Sequence, residues 1–227
     1  MNIPFATFSQ HLSPADLPTC VRNTLGQSLR RSAAYTQLLA CGAFSLLPPA
    51  ARVRSVALLW QSSCGPRMET NALLDEICDG NGEPMPYDFL ATQPAIAAAQ
   101  LQALLPGLAL AQYCPLDSTV NADWQLLLLQ ASGWLSRARY EHVLCAHIDL
   151  SPDACTAHWL RLDANPLENC GWRLNLTDIS VRASAQAIAD TPDLPAQLVS
   201  ANAPKLALHS RHSLHRTVEF VRSQPVR

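Results

Sequence analysis

The segment from Ala122 to about Leu135 constrains the fold most, because its pattern predicts a helix without a polar face. Asn121 is a suitable N-cap residue, and Asp123 would lie near the positive end of the helix dipole. A helix that is apolar nearly all round is buried on all sides. The chain therefore needs a sheet beneath this helix and further protein above it. The apolar positions are Trp124, Leu126, Leu127, Leu128, Leu129, Ala131, Trp134 and Leu135.

The first 150 residues alternate between short apolar runs and helical segments. A continuous apolar run of this length is typical of a strand buried on both faces. The alternation predicts an α/β fold with a layered sheet. The predicted strands are 55–60, 108–114 and 143–149, and the predicted helices are 13–45, 68–78, 95–105 and 122–135.

The pattern changes after residue 150, where β structure predominates. We expect strands at 157–162 and 171–181 around a turn at Asn165-Pro166, a weak helix at 183–189, and a strand or helix over 205–221. The predicted organisation is a first part, 1–150, with a second part, 151–227, packed on the same domain. The second part would cover some of the central helix.

The composition favours a large covered surface. Charged residues make up 15% of the chain, below the about 25% usual for soluble domains. A partner surface would account for such a deficit.

The net charge of −2 argues against nucleic acid as the main ligand, and no run has the length of a membrane span. The N-terminus lacks the features of a signal peptide, and the eight cysteines contain no CxxC pair, which together predict a cytoplasmic protein with reduced thiols.

Two groups of residues are candidates for chemistry outside the central helix. Cys114 is a possible nucleophile, although a buried structural thiol is the better interpretation, and the sequence does not fix its distance from His142 or His147. The three-residue spacing of His209, His212 and His215 would suit a metal on a helix. No acidic or cysteine ligand accompanies them, so we expect a solvated basic segment, no metal and no cofactor.

A series of segments resembles the N-terminal half of β-ketoacyl synthases, which have a thiolase-like fold. The resemblance covers roughly residues 20–150 and is strongest from Pro86 to Asp149. Its segments are the arginine pair 30–31 with SAAYTQLLACGAF, then VALLWQSSCGP, PYDFLATQPAIAAAQLQALLPGLALAQY and QASGWLSRARYEHVLCAHID.

The resemblance places Asn121 where an active synthase carries its nucleophilic cysteine. That cysteine accepts the acyl chain at the turn into the central helix. The carboxamide of Asn121 has no nucleophilic lone pair, which excludes covalent acyl capture there. The histidine-bearing second half of the synthase fold is also expected to be missing from this chain.

The chain thus resembles the chain length factors of type II polyketide and aryl-polyene systems, in a shorter form. The resemblance implies a subunit without its own catalytic residue, paired with an active β-ketoacyl synthase and helping to shape the acyl tunnel. Expected tunnel or interface residues are Phe89, Leu90, Gln93, Asn121 and Trp124. The acyl carrier protein is acidic, so a weaker expectation is that it docks on Arg211, Arg216 and Arg222.

Two other functions remain open from the sequence. The chain would be an independent acyltransferase or thioesterase if Cys114 were its nucleophile. It would be a self-associating relic of a synthase if it neither paired with a synthase nor shaped a tunnel.

Overall fold

The computed structural model describes residues 2–79, 85–116, 121–165, 171–178, 185–209 and 216–223. Nine strands in these ranges form one mixed sheet, in the order β3-β2-β4-β5-β1-β6-β9-β8-β7. The strands are β1 (Asn2–Leu12), β2 (Val56–Ser62), β3 (Leu108–Pro115), β4 (His142–Leu150), β5 (Cys155–Asp163), β6 (Trp172–Asp178), β7 (Gln186–Ala189), β8 (Lys205–His209) and β9 (Arg216–Arg222).

The helices of the described ranges cover both faces of the sheet. They are α1 (Leu17–Leu25), α2 (Ala34–Leu46), α3 (Arg67–Asp79), α4 (Pro86–Ala91), α5 (Pro94–Leu104), α6 (Trp124–Ser136) and α7 (Leu194–Ser200). Residues of α1, α2 and α5 share one hydrophobic core, while residues of α6 and α7 share the other. The layered α/β/α architecture expected from the sequence is confirmed.

The three predicted apolar strands form the parallel centre of the sheet. β2 pairs in parallel with β3 on one side and with β4 on the other. All seven residues of β2 are buried, as a strand covered on both faces requires. β5 then pairs antiparallel with β4. The strand predictions at 55–60, 108–114 and 143–149 are confirmed within two residues.

Helix α6 is the buried central helix that the sequence predicts. Eight of its residues are buried, and α6 contacts β2, β4, β5 and β9. Only one stripe reaches solvent, with Leu126 exposed by 38%. β9 and α7, both from the second part of the chain, contribute to the same hydrophobic core as α6. The expectation that residues after 150 cover this helix is confirmed.

Four secondary-structure predictions differ from the structure. The single strand or helix predicted over 205–221 is wrong, because this part of the chain contains two antiparallel strands, β8 and β9. β1 was not predicted at all, and it pairs with β5 on one side and β6 on the other. The single helix predicted over 13–45 is two helices, because Gly26 adopts φ 71° and ends α1. The helix predicted at 183–189 is wrong over 186–189, where β7 pairs in parallel with β8.

The carboxylate of Asp149 holds the turn that follows β2. Its Oδ1 accepts hydrogen bonds from the Ser62 hydroxyl at 2.8 Å, the Ser63 N–H at 2.8 Å and the Cys64 N–H at 3.2 Å. Its Oδ2 lies 2.9 Å from His147 Nε2. Burial acts to raise the pKa of Asp149, but the bonds and charge of His147, the Ser62 hydroxyl and the Cys64 N–H outweigh it and lower the pKa to about 2.

This network predicts an acid-sensitive contribution to stability. A carboxyl whose pKa is lower in the folded than in the unfolded chain stabilises the fold above the unfolded pKa, here 3.8. The contribution, roughly 1–2 kcal/mol after solvent screening, is lost as the pH falls from about 4 to about 2. Urea unfolding of the wild type and of Asp149→Asn should therefore differ at pH 7 and converge in acid. A difference that is constant over this pH range would contradict the assignment.

Candidate functional site

Asn121 lies at the amino end of α6, in an exposed position, where the resemblance places the nucleophile of an active synthase. Its predicted role as the N-cap is wrong, because α6 begins at Trp124 and the N-cap residue is Asp123. The side chain of Asp123 makes no capping hydrogen bond to the helix. The acceptors for the first N–H groups therefore come from elsewhere in the chain.

Asp190 supplies most of these acceptors. Its Oδ1 accepts the Trp124 N–H at 2.9 Å, and its Oδ2 accepts the Gln125 N–H at 3.2 Å. Its backbone carbonyl accepts the Ala122 N–H at 2.9 Å. Asp190 is 6% exposed, so a buried carboxylate lies directly at the positive end of the α6 dipole. Sequence analysis missed this residue, which lies 65 to 66 positions from the N–H groups it binds.

One side chain of β2 and two backbone carbonyls from later in the chain fix the rest of the first turn. Gln61 Oε1, at the end of β2, accepts the Asp123 N–H at 2.9 Å. The Gln125 side chain donates to the Arg216 carbonyl of β9 at 2.7 Å. The Trp124 indole N–H donates to the Thr191 carbonyl at 2.9 Å. Each N–H from residue 122 to residue 125 thus has an acceptor within the chain, so these groups form no open cradle for an oxyanion.

Cys114 lies in β3, half-buried, in the same row of the sheet as Gln61 and His147. Gln61 pairs with Cys114 on one side and with His147 on the other. Two strand spacings, about 10 Å, thus separate the backbones of Cys114 and His147. Burial raises the pKa of the Cys114 thiol, and the charge of Asp123 adds to the shift.

His142 is also unsuited to serve as a base for Cys114. It pairs with Val56, at the opposite end of β2 from Gln61. Its Nδ1 bonds to the carboxylate of Asp163, which is buried. The environment of Cys114 therefore favours a protonated thiol, and neither His142 nor His147 is placed to act as its base.

The predicted tunnel or interface residues fall into two groups on opposite faces of the sheet. Phe89 and Leu90 project from α4 with 59% and 43% exposure. Gln93, the N-cap residue of α5, lines a groove of about 550 Å³ between α5 and β3. Trp124 is fully buried in the core around α6, and Asn121 lies at the end of that helix. Their roles in a tunnel or an interface stay predictions.

The arginines predicted to bind a carrier protein are not a cluster in the described residues. Arg211 lies outside the described ranges. Arg216 and Arg222 are the first and last residues of β9, so their backbones are about 20 Å apart. The Arg222 guanidinium lies over the Trp172 ring, 5.4 Å from its centroid. Carrier-protein docking by this set remains a prediction.

Two of the three histidines of the predicted run lie outside the described residues. His212 and His215 lie in the undescribed segment, while His209 ends β8. Among the described residues there is no group of three His, Cys, Asp or Glu side chains placed to hold a metal ion. None of the described helices combines the length and the hydrophobicity needed to cross a membrane.

Comparison with known proteins establishes the fold but not a sequence family. No family model and no curated protein sequence matches the chain. Among solved structures, the ishigamide ketosynthase/chain length factor matches with a TM-score of 0.60 and 11% identity, over 98% of this chain and 99% of that chain. A type II polyketide synthase complex, AntDE:AntF, in which an acyl-carrier protein is bound to its ketosynthase, matches with a TM-score of 0.56 and 12% identity over 98% and 99%.

A third similar structure is a ketosynthase, ApeO, in complex with its chain length factor, ApeC, from Xenorhabdus doucetiae. It matches with a TM-score of 0.55 and 13% identity, over 98% of this chain and 100% of that chain. The chain therefore has the thiolase-like fold of the ketosynthases. The fold predicted from the sequence is confirmed.

The occupied helix end predicts how a thiol at position 121 would behave. In Asn121→Cys, the Asp190 carboxylate at the same helix end should prevent the lowering of the thiol pKa that a helix N-terminus otherwise causes. Its alkylation rate at pH 7 should not exceed that of a free cysteine derivative. Asn121→Cys with Asp190→Asn should react about tenfold faster, corresponding to about one pKa unit.

The rate of alkylation by iodoacetamide between pH 6 and pH 9 measures the reactivity of the introduced thiol in each of the two variants. Circular dichroism confirms that each variant folds. Asp190→Asn alone, with Asn121 retained, corrects for alkylation of the native cysteines. An Asn121→Cys protein that is already alkylated rapidly at pH 6 would contradict the inhibitory role of Asp190.

Proposed function

We propose that the chain is a ketosynthase-like subunit of the chain length factor type. It has no nucleophile of its own at the end of α6, pairs with an active β-ketoacyl synthase, and helps to shape the acyl tunnel. The process served would be polyketide, polyene or fatty-acid-like biosynthesis on an acyl carrier protein. The observation that carries the proposal is the end of α6, where position 121 bears a carboxamide and the Asp190 carboxylate accepts hydrogen bonds from the Trp124 and Gln125 N–H groups.

The similar structures support pairing as the mode of action. Their names describe a ketosynthase in complex with its chain length factor, a ketosynthase/chain length factor, and a ketosynthase bound to its acyl-carrier protein. The proposed assembly acts in the cytoplasm, consistent with seven described cysteines that are all free thiols.

The free edge of β3 is the surface that we propose for pairing. β3 ends the sheet, and within the described residues no strand pairs with its outer side. Unprotected edges normally carry charges or prolines that prevent pairing with another chain. Here no Asp, Glu, Lys or Arg occurs between Asp88 and Asp117, a stretch that contains both α5 and β3. An uncharged edge of this kind suits a permanent partner better than solvent.

The groove between α5 and β3 extends this edge. Small and apolar side chains line it, with glutamines at its rim. The exposed Phe89 and Leu90 of α4 add apolar surface next to α5. We propose that the partner synthase covers the edge, the groove and α4 together.

A charge placed in the groove should break the pairing without unfolding the chain. Ala99 is exposed on α5 and lines the groove, so Ala99→Arg would bury an unpaired guanidinium in the interface. We expect the affinity for the partner β-ketoacyl synthase to fall at least about tenfold. Val199→Arg places the same charge on α7, on the other face of the sheet, and should leave binding unchanged.

Co-expression with that synthase, pull-down through a tag on this chain and size-exclusion chromatography measure the outcome. Equal loss of binding in both variants would point to a general charge effect and contradict the proposed surface. A wild-type chain that forms only homodimers in the presence of the synthase would favour the self-associating relic.

The alternative, an acyltransferase or thioesterase that uses Cys114, has its own test. Incubation of the isolated chain with acyl-carrier thioesters should leave its intact mass unchanged, because the pKa of Cys114 is raised and Gln61 lies between it and His147. A covalent acyl adduct that disappears in Cys114→Ala would overturn the non-catalytic proposal.

A further inference from the structure

Two cysteines meet where α1 packs on α2, far from the end of α6. The Sγ atoms of Cys20 and Cys41 are 3.7 Å apart, and the Cys41 thiol donates to the Cys20 sulfur. Cys20 is partly accessible, whereas Cys41 is buried. The sequence predicted only that the cysteines are reduced thiols. Their contact in the structure adds a chemical possibility.

Polar groups surround the Cys20 sulfur in particular. The Gln10 side-chain amide donates to it at 2.8 Å, and the Thr24 hydroxyl lies 3.9 Å away. Burial, followed by the proximity of Cys20, raises the pKa of the Cys41 thiol to about 12. Cys41 therefore keeps its proton and remains the donor to the Cys20 sulfur. Cys20 is the more accessible and better solvated sulfur of the two.

We propose that Cys20 and Cys41 form an oxidation-sensitive pair in which a peroxide converts the two thiols to a disulfide. The Cys20 thiolate attacks one peroxide oxygen, the O–O bond breaks, hydroxide leaves, and Cys20 becomes a sulfenic acid. The Cys41 sulfur then attacks the Cys20 sulfur. The S–O bond breaks, and the hydroxyl leaves with the Cys41 proton as water. The peroxide accepts the two electrons that the two thiols lose.

The geometry requires only a local adjustment. A disulfide has an S–S length of about 2.0 Å, so the sulfur atoms must approach by about 1.7 Å, which side-chain rotation can supply. The new bond would tie α1, which buries only Leu17 and Val21, to the largely buried α2. Detachment of α1 from the sheet would then be restricted, because the crosslink closes a loop between the two helices.

Other cysteines of the described residues are less suitable. Cys145 is fully buried and its pKa is raised, and the pKa of Cys64 and of Cys114 is also raised by burial. Cys78 is exposed on α3 and provides a matched control. The proposal does not depend on the proposed function, since Cys41 and the helices α1 and α2 belong to one hydrophobic core and α6 belongs to the other.

The test treats the full chain with a small excess of hydrogen peroxide and then blocks the remaining thiols under denaturing conditions. Two fewer thiols should be blocked in the oxidised protein, and a non-reducing tryptic digest should link peptide 1–22 to peptide 32–52, with a loss of about 2 Da. The melting temperature should rise by several degrees and return to its starting value with dithiothreitol. Cys78→Ser should behave like the wild type.

Single substitutions distinguish the sulfur that the peroxide oxidises, Cys20, from the sulfur that then forms the disulfide with it, Cys41. Cys41→Ser should leave a sulfenic acid on Cys20 that dimedone traps, and Cys20→Ser should prevent both the disulfide and the trapping. Cys41→Ala serves as a second variant if Cys41→Ser fails to fold. A wild-type protein that gains oxygen, about 16 Da at a time, without linking these two peptides would overturn the proposal.

Discussion

The bidentate contact between the Asp190 carboxylate and the first turn of α6 is the interaction on which the rest of the arrangement depends. It fixes the end of the buried helix α6 and joins it to a segment more than sixty residues away. A helix end covered by protein needs acceptors for its N–H groups, and a carboxylate is favoured there by the helix dipole. The same contact uses the groups that could otherwise stabilise a thiolate or an oxyanion. Structural support and the proposed lack of reactivity thus have one physical cause.

The sequence predicted the centre of the fold well because the signals there are local. β2, β3 and β4 are uninterrupted apolar runs, and α5 lies between a first-turn proline and the Pro106-Gly107 stop. The features that were missed depend on pairing between distant residues. β7 has the helix-favouring composition Gln-Ala-Ile-Ala, yet its pairing with β8 makes it a strand. β1 was missed because its apolar residues are mixed with polar ones and only its two neighbours show that it is a strand.

In the candidate site, too, a feature with a local sequence signal was found and a contact between distant residues was missed. The resemblance to ketosynthases singles out position 121, whose role stays a prediction, because the flanking helix and strands keep their order along the chain. Asp190 could not be found in this way, since an aspartate between an alanine and a Thr-Pro pair is typical of a loop. Other buried charged residues are also paired with partners that the sequence does not reveal. Lys205, the only lysine, pairs with the buried Glu219 at 2.9 Å, and Arg161 pairs with the buried Asp163 at 3.0 Å. Part of the small charge content therefore serves internal pairs.

The position of β1 has a consequence for how the molecule is made. This strand is synthesised before both of its neighbours, β5 and β6, which follow more than 140 residues later. Until then its backbone N–H and C=O groups have no strand partner in the described sheet, and pairing at such sequence separation is slow to form. During most of translation, the nascent chain would thus expose the apolar surface of an incomplete sheet. Binding of a chaperone or of another subunit would be most useful in this period.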